Sequence, residues 1–355
     1  MDEIDKTLME LATGSGIDLI DTGALPDGSI DGTLLIDMLP YLDKESEISR
    51  EDFIPTLFDA MLINGGLYEY TEKFSMLTMS APADIFPDKD SFTVQNILAQ
   101  AQANPDLLLP EDWNYLVDFF AWAASAEFCD WKNGSCNFND PVFTAWLDLL
   151  KELPSELVNI TRDKPNLFDI NYEFQVSAGY FARQRSGGEY IVPGFPETKG
   201  TGTYFMKLGS GAGYVGSIDS SKNIATLGQC TRIGIMASGD NHDGAWRFVK
   251  TLMLGETAPE LMEGIPVMKA SFERALDSRL SKAKSGGNDY DTFNQYDADC
   301  MRNLVYNSTG IVHKDDALMD IFRTEINAFL GGKGTTEECA ERIQSRVSIY
   351  MAEQA

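Results

Sequence analysis

The stretch IGIMASGDNHDGAWRFVKTLM, which covers residues 233–253, decides the fold class of this chain. A short apolar run, Ile233 to Ala237, is followed by a polar loop of Ser, Gly, Asp, Asn and His. The loop leads into a segment whose apolar residues recur at helical spacing, namely Ala245, Trp246, Val249, Leu252 and Met253. This pattern predicts a strand, a loop and a helix in succession, which is the repeating step of open α/β folds.

The polar loop contains residues that can start the predicted helix. Asp240 and Asn241 have side chains that accept hydrogen bonds from the first N–H groups of a helix, and Asp243 places a negative charge in the first turn. Trp246 and Phe248 are interpreted as packing residues and not as ligand contacts. We therefore expect this stretch to have a structural role.

Strand and helix patterns alternate along the rest of the chain. Residues 17–21 and 67–79 are predicted as strands, and residues 34–43, 50–62 and 91–102 as helices. This alternation predicts an α/β fold with mainly parallel sheets.

The length and the extended segments of the chain indicate more than one lobe. A chain of 355 residues is long enough for two domains of ordinary size. Extended segments near residues 72–80, 228–234 and 277–295 indicate that the chain passes between two lobes more than once.

The charge composition excludes some classes of partner. The chain has 28 Lys and Arg residues against 55 Asp and Glu residues, and its formal net charge is −27. Such a field repels phosphate backbones and anionic lipid headgroups, so the composition argues against nucleic-acid binding and membrane-surface binding. No apolar run in the sequence is long enough to span a bilayer, and residues 1–12 form a charged amphipathic pattern without the regions of a signal peptide.

The sequence has no recognised catalytic or metal-binding signature. Its two histidines, His242 and His313, fit no known spacing of metal ligands or of a nucleophile and its base. Cys129 and Cys136 are close enough in sequence to bridge a hairpin, but the odd total of five cysteines and the lack of a CxxC motif argue against a disulfide framework or a zinc site. No acidic pair stands out as an acid and a base. We therefore expect no metal, no cofactor and no enzymatic activity.

Two glycine-rich motifs are interpreted as structural. Residues 211–216, GAGYVG, fit the GxGxxG pattern of nucleotide-binding loops, but a turn and not a helix follows them. Residues 331–336, GGKGTT, have the wrong order for a phosphate-binding loop. Gly331 and Gly332 are instead predicted to end one helix, and Thr335 to cap the next.

Aromatic side chains are the remaining candidates for ligand binding. The alternation of an extended segment places Tyr68, Tyr70 and Phe74 on one face. Other aromatic residues lie at predicted strand ends and loops, namely Tyr180, Phe181, Tyr190, Phe195 and Tyr204. Aromatic rings can stack on the apolar faces of sugars, and a few polar side chains then bind the hydroxyl groups. The aromatic residues within 113–122 are predicted to pack in the core.

Several motifs, taken in order, carry a resemblance to one family. They are ELATGSGIDLID (10–21), LDKESEISREDFIP (42–55), NGGLYEYTEKFSMLTM (64–79), VPGFPETKGTG (192–202), GIPVMKASFE (264–273) and ALMDIFRTEINAFLGGKGTTEECAERIQSRVSIYMAE (317–353). Together with residues 233–253 they run over nearly the whole chain. The sequence resembles the extracellular solute-binding protein family 1, the sugar-binding proteins of ABC importers.

The resemblance implies the two-lobe α/β fold of periplasmic binding proteins (type II), with an interlobe cleft and hinge crossings. Lobe 1 would comprise residues 1–76 and 232–285, and lobe 2 residues 77–231 and 286–355. The resemblance also implies a monomer that binds a sugar or oligosaccharide in the cleft and delivers it to ABC permease subunits. Full-length members of the family are extracellular lipoproteins at the cell surface.

The resemblance begins partway into the first lobe. The family's signal, its lipid-attachment cysteine and its first strand, helix and strand have no counterpart in the chain as given. Two alternatives therefore stay open beside a sugar-binding role: a secreted glycan-active hydrolase, or a truncated product that binds nothing.

The resemblance and the aromatic pattern together suggest which residues contact a sugar. They are Asp18, Tyr68, Tyr70, Phe74, Trp131, Tyr180, Phe195 and Tyr204. Tyr70→Ala is expected to lower sugar affinity with little effect on the melting temperature.

Overall fold

A computed structural model describes residues 16–25, 30, 32–82, 93–103, 113–152, 169–174, 188–192, 195–202, 213–216, 223–227, 232–255, 264–284, 295–312 and 315–354. These residues form two compact units. Unit 1 contains the described residues of Met1–Ser75 and Leu227–Ser278. Unit 2 contains those of Met76–Phe174, Ala178–Thr226 and Arg279–Ala355.

Both units combine strands and helices. The strands, in chain order, are β1 (Leu19–Asp21), β2 (Glu69–Thr71), β3 (Lys73–Pro82), β4 (Cys129–Asp130), β5 (Ser135–Cys136), β6 (Asp169–Phe174), β7 (Gly188–Val192), β8 (Phe195–Gly202), β9 (Gly213–Gly216), β10 (Asn223–Thr226), β11 (Arg232–Ile235), β12 (Ile265–Pro266) and β13 (Ser308–Ile311). The α-helices are α1 (Leu39–Leu42), α2 (Pro55–Met61), α3 (Val94–Ala103), α4 (Trp113–Glu127), α5 (Pro141–Glu152), α6 (His242–Leu254), α7 (Lys269–Lys284), α8 (Gln295–Tyr306), α9 (Asp316–Leu330) and α10 (Thr336–Gln354).

Unit 1 is organised around an antiparallel sheet of strand order β1-β11-β2. Leu19 of β1 lies opposite Ile235 of β11, and Tyr70 of β2 lies opposite Ile233 of β11. One residue beyond β11, Met236 forms an antiparallel bridge with Leu35. The strand predicted within residues 17–21 is thereby confirmed as β1, and the strand predicted over residues 67–79 as β2 and β3.

The predicted strand, loop and helix at residues 233–253 are confirmed as β11 and α6. The Asn241 side chain accepts a hydrogen bond of 3.0 Å from the backbone N–H of Gly244, so Asn241 is the helix cap, and Asp243 lies in the first turn. Trp246 is buried, as predicted, but the packing role predicted for Phe248 is wrong because that side chain is 50% exposed. A helix at the protein surface has one face buried and one face exposed to solvent, and Phe248 lies on the exposed face of α6.

The helix predicted over residues 34–43 is mostly wrong, because α1 comprises only Leu39–Leu42. The preceding segment pairs with the sheet instead. Ile36 donates a backbone hydrogen bond of 2.9 Å to the carbonyl of Ile235, and Ala237 donates one of 2.9 Å to the carbonyl of Leu34. Backbone groups that are satisfied by a neighbouring strand are not available for helical hydrogen bonds.

The prediction of mainly parallel sheets is wrong. β10 and β13 form a parallel pair, whereas β3 pairs antiparallel with β6, β9 and β12. The unit 1 sheet is antiparallel as well. The alternation of strands and helices does not fix the direction of each strand. Two strands are parallel only if the connection between them crosses to the opposite end of the sheet, and they are antiparallel if it stays at the same end.

The core of unit 2 is helical and aromatic. Phe120 of α4 makes an edge contact with Trp146 of α5 at a ring-centroid distance of 5.5 Å, and Phe138 makes one with Phe322 of α9, also at 5.5 Å. All four side chains are buried, which confirms the predicted core role of Phe120. Aromatic pairs of this kind contribute about 0.5–1.5 kcal/mol beyond the area they bury.

The glycine-rich motif at residues 331–336 connects α9 and α10, as predicted. Gly331 is the C-terminal cap of α9, and Gly332 has a left-handed φ of 83°. The Thr335 hydroxyl accepts a hydrogen bond of 3.3 Å from the backbone N–H of Glu338, whose carboxylate accepts one of 3.0 Å from the N–H of Thr335. This reciprocal pair is a capping box, so the motif has a structural role.

Candidate functional site

Asp18 lies beside the loop that connects β11 to α6. Its backbone carbonyl accepts a hydrogen bond of 2.9 Å from Met236, and its carboxylate Oδ1 accepts one of 3.0 Å from the backbone N–H of Asn241. Gly239 passes so close that an added Cβ would lie 2.8 Å from that same oxygen. The half-buried Asp18 thus holds the start of α6. Its negative charge also lies at the end of the helix where the dipole favours it.

Tyr68 is held at the same end of the unit 1 sheet by close packing against glycine backbone. An added Cβ at Gly66 would lie 2.8 Å from the ring of Tyr68, and one at Gly32 would lie 3.3 Å from its hydroxyl. The half-buried ring packs against the buried cluster of Leu34, Leu35 and Met236. Because Met236 also bonds to Asp18, the structure brings these two predicted site residues to one region.

A polar group, which we call the Glu69 cluster and which consists of Thr22, Glu69 and Arg232, lies further along the same sheet. The Thr22 hydroxyl donates a hydrogen bond of 2.6 Å to Glu69 Oε2, and Arg232 Nη1 lies 3.5 Å from Glu69 Oε1. Gly234, directly opposite Glu69 on β11, leaves room for the side chains of Leu35 and Thr22, because an added Cβ there would lie 2.8 Å from Leu35 Cδ1 and 3.0 Å from Thr22 Cγ2. Thr22 is fully buried, whereas the side chains of Arg232 and Glu69 are partly exposed, so a guanidinium that donates and a carboxylate that accepts can reach a polar ligand.

None of the site residues predicted from the sequence belongs to the Glu69 cluster. One signal was present, because Glu69 alternates with Tyr70 and therefore points to the other face of β2. Its partners Thr22 and Arg232 lie 47 and 163 residues away, so only the folded sheet brings them together.

Tyr70 and Phe74 are core residues of unit 1. Each side chain is 1% exposed, and the Tyr70 ring makes an edge contact with Phe53 at a centroid distance of 6.4 Å. The Tyr70 hydroxyl is buried and has no hydrogen-bond partner among the residues that the structure describes. Burial raises the pKa of this hydroxyl, and the neighbouring Glu72 carboxylate raises it further. This packing does not favour the predicted sugar contacts of Tyr70 and Phe74, because neither ring has a face open to a ligand.

Trp131 lies in the turn of the β4–β5 hairpin in unit 2. Its Nε1 donates a hydrogen bond of 2.8 Å to the carbonyl of Ser125, and its ring makes an edge contact with Tyr350 at a centroid distance of 6.5 Å. The half-buried ring therefore has a fixed orientation in which part of its surface faces solvent. Its role as a sugar contact stays a prediction.

The other predicted site residues are only partly covered by the structure. The backbone of Phe195 begins β8 and lies opposite Val192 of β7. Tyr180 and Tyr204 lie outside the described residues. The predictions for these three residues stay untested.

Several carboxylates among the described residues are paired with hydrogen-bond donors. Glu45 has a lowered pKa because Lys250 and Trp246 donate hydrogen bonds to it, and Asp43 has one because Arg50 does. Within the described residues, no three His, Cys, Asp or Glu side chains are grouped as a metal ion would need, and no helix is long and apolar enough to cross a membrane.

Comparison with solved structures identifies the fold. The chain is similar to the ABC substrate-binding protein Lmo0181 from Listeria monocytogenes in complex with cycloalternan, with a TM-score of 0.56 and 13% identity over 98% of this chain and 88% of that one. It is also similar to the sugar-binding protein MalE from Xanthomonas citri, with a TM-score of 0.60 and 14% identity over 99% of this chain and 87% of that one. No protein-family model and no curated protein matches the sequence. At this identity the likeness shows the fold, which confirms the predicted α/β class of periplasmic binding proteins.

Proposed function

We infer that this protein is the solute-binding component of an ABC importer and that its solute is a neutral carbohydrate. The observation that carries this inference is the likeness of 98–99% of the chain to two sugar-binding proteins. The order of family-like motifs along the sequence supports it independently. In this function the protein binds and releases the sugar without making or breaking a bond.

The residues of unit 1 offer chemistry that suits a sugar. The half-buried Tyr68 can present part of its ring to an apolar sugar face, and the carboxylate of Asp18 can accept hydrogen bonds from hydroxyl groups. The Glu69 cluster adds a partly exposed donor, Arg232, and a partly exposed acceptor, Glu69, on the same sheet. The net charge of −27 favours a neutral solute over an anionic one.

The proposal also includes the second-lobe contacts, the lobe boundaries, the oligomeric state and the cellular location that the family resemblance implies. Trp131, Tyr180, Phe195 and Tyr204 supply contacts from the second lobe. The lobes comprise residues 1–76 with 232–285 and residues 77–231 with 286–355. The protein works as a monomer outside the cell, with a lipoprotein anchor in the full-length form, and passes its solute to permease subunits.

A titration of the purified protein with neutral mono-, di- and oligosaccharides tests the function. Isothermal titration calorimetry should find at least one sugar that binds, and saturating amounts of that sugar should raise the melting temperature, since a ligand that binds only the folded state stabilises it. Tyr68→Ala should weaken the binding at least tenfold. Phe248→Ala is the matched control, because Phe248 is 50% exposed on α6 and belongs to no proposed contact.

Two outcomes would contradict the proposal. A well-folded protein that binds no sugar in the panel would remove the solute-binding role. New reducing ends in the same incubations would favour the alternative of a glycan-active hydrolase.

A further inference from the structure

The hairpin of β4 and β5 places two cysteines directly opposite each other. The register pairs Cys129 with Cys136 and Asp130 with Ser135. The turn between the strands comprises residues 131–134, and Gly134 has a left-handed φ of 63° that this tight connection needs. Both cysteines are present as thiols in the structure.

The hydrogen bonds of the hairpin show which kind of cross-strand pair the cysteines occupy. Asn137 donates a backbone hydrogen bond of 2.9 Å to the carbonyl of Phe128, so these two residues occupy a hydrogen-bonded position of the ladder, while the N–H of Phe128 bonds to Ala124 at the end of α4. Pairs alternate along an antiparallel ladder, and Cys129 and Cys136 therefore form a non-hydrogen-bonded pair. At such positions the Cα atoms are only about 4.5 Å apart and both side chains lie on the same face. This separation falls within the range of about 4.4–6.8 Å that disulfides span.

From this juxtaposition we propose that Cys129 and Cys136 form an intramolecular disulfide when the folded protein meets a small-molecule disulfide. The bond would close the hairpin across its centre. It would add a covalent constraint to a part of unit 2 that noncovalent contacts already order.

The hairpin is already held against α10 at the position of Cys136. Gln344 donates hydrogen bonds to the backbone carbonyl of Cys136 at 3.0 Å and to its Sγ at 3.3 Å, and it accepts one of 2.6 Å from the backbone N–H of Phe138. Ser348 Oγ lies 3.3 Å from the same sulfur. These contacts fix the strand that carries Cys136, so the two cysteines are held in register before any bond forms.

The two thiols have different access to a reagent, and this sets the order of the reaction. Cys136 is partly exposed, whereas Cys129 is buried in the helical core. The Cys136 thiolate attacks one sulfur of glutathione disulfide, forms a mixed disulfide and releases one glutathione thiolate. The Cys129 thiolate then attacks the Cys136 sulfur and releases the second glutathione. Two protein thiols are oxidised, glutathione disulfide is reduced to two glutathione molecules, and the two thiol protons pass to these products.

Cys339 differs from the two hairpin cysteines in its surroundings. It is fully buried, its Sγ lies 3.6 Å from the carbonyl of Glu325, and burial raises the pKa of its thiol to about 12. A thiol that is neither exposed nor ionised reacts slowly with disulfides. The oxidation is therefore expected to select the hairpin pair over Cys339.

Peptide mapping tests the bond directly, because Lys132 lies between the two cysteines. The reduced full-length protein is incubated with glutathione disulfide under native conditions, its remaining thiols are blocked in denaturant, and it is digested with trypsin. Cleavage after Lys89, Lys132 and Lys151 gives peptides 90–132 and 133–151, each with one cysteine. Mass spectrometry should find these two peptides as one linked species that separates on reduction.

Thermal unfolding gives a second readout. A disulfide that closes so short a loop is expected to raise the melting temperature of the oxidised protein by about 5 °C. Cys129→Ser and Cys136→Ser should each abolish both the linked species and the response of the melting temperature to the oxidant. A parallel oxidation in denaturant shows what proximity in sequence contributes by itself.

Separate, blocked peptides after native oxidation would overturn the proposal. So would a mixed disulfide with glutathione that persists on Cys136, because it would show that Cys129 cannot reach the Cys136 sulfur. Linkage that forms as readily in denaturant as in the folded protein, with no change in melting temperature, would show that the fold does not favour the bond and would also overturn it.

Discussion

The carboxylate of Asp18 accepts a hydrogen bond of 3.0 Å from the backbone N–H of Asn241, a residue 223 positions further along the chain. Asn241 in turn caps α6 through its own side chain. The two residues thus connect the start of β1 to the start of α6, and they fix the loop beside the half-buried ring of Tyr68. Asp18, which is proposed to contact sugar, therefore also stabilises the loop between β11 and α6.

Substitution of Asp18 separates its structural role from its charge. Asp18→Ala removes the acceptor for Asn241 and is expected to lower the free energy of unfolding by about 1–2 kcal/mol, because a hydrogen bond to a charged group is lost. Asp18→Asn retains an oxygen that can accept the same bond and should recover most of this loss. Urea unfolding measures both. Equal losses in the two variants would show that the charge matters and the hydrogen bond does not.

Tyr70 is expected to respond to substitution as a core residue. Tyr70→Ala removes a ring that is 1% exposed, so it should lower the free energy of unfolding by about 3–5 kcal/mol. Tyr70→Phe removes only the buried hydroxyl that lacks a partner in the described structure, so it should leave stability unchanged or raise it by about 1 kcal/mol. Denaturant unfolding checks the two values. Sugar affinity per folded molecule that falls in Tyr70→Phe would instead support the original prediction of a ligand contact.

The position of the Tyr68 ring depends on Gly66. Gly66→Ala places a Cβ 2.8 Å from the ring and should displace it, which is expected to weaken sugar binding about tenfold in calorimetric titrations. Gly65→Asn is the matched control, because Gly65 has a left-handed φ of 81° with no atom within 4 Å of an added Cβ, and Asn tolerates that conformation. Affinity that is unchanged in Gly66→Ala would argue against Tyr68 as a sugar contact.

The ion pairs of Glu325 predict how stability changes with acid. Burial alone would raise the pKa of Glu325, but hydrogen bonds from Arg342 and Arg346 outweigh burial and leave the pKa below its usual value. A group whose pKa is lower in the folded state contributes stability above its unfolded pKa, near 4.5, and loses it as the pH falls through the folded pKa. Glu325→Gln should therefore lose less stability than the wild type below about pH 4.5.

Urea unfolding at pH 7 and at several values below 4.5 measures this difference. Glu341→Gln is the control, because Glu341 is an exposed carboxylate on α10, the helix that carries Arg342 and Arg346. The prediction is contradicted if Glu325→Gln follows the same pH profile as the wild type and the control.

The sequence predicted local structure well where the signal lay within a few residues. The apolar run, the capping Asn241 and the helical spacing after it were enough to predict β11 and α6. The capping box of Thr335 and Glu338 was detectable in the same way. Such signals depend on backbone groups that bond to neighbours three or four positions away, so a short segment contains them completely.

The same local patterns were not enough to say which side chains would be buried. Phe248 and Trp246 lie two positions apart on α6, yet one is half exposed and the other is buried. Tyr68 and Tyr70 share one face of a strand pattern, but only Tyr70 lies beneath Phe53 in the core. A pattern predicts that a face exists, whereas burial depends on what the rest of the chain packs against it.

The sequence by itself determined the class of the fold and the absence of recognised catalytic signatures, because composition, spacing and motif order are properties of the linear chain. Only the tertiary structure decided that Glu69 meets Thr22 and Arg232, that Asp18 holds Asn241, and that Cys129 faces Cys136 in a non-hydrogen-bonded pair. The physical reason is that strand register and long-range contacts are selected by the packing of the whole unit. A shift of one residue in the register of β2 or β4 would turn Glu69 or Cys129 to the opposite face.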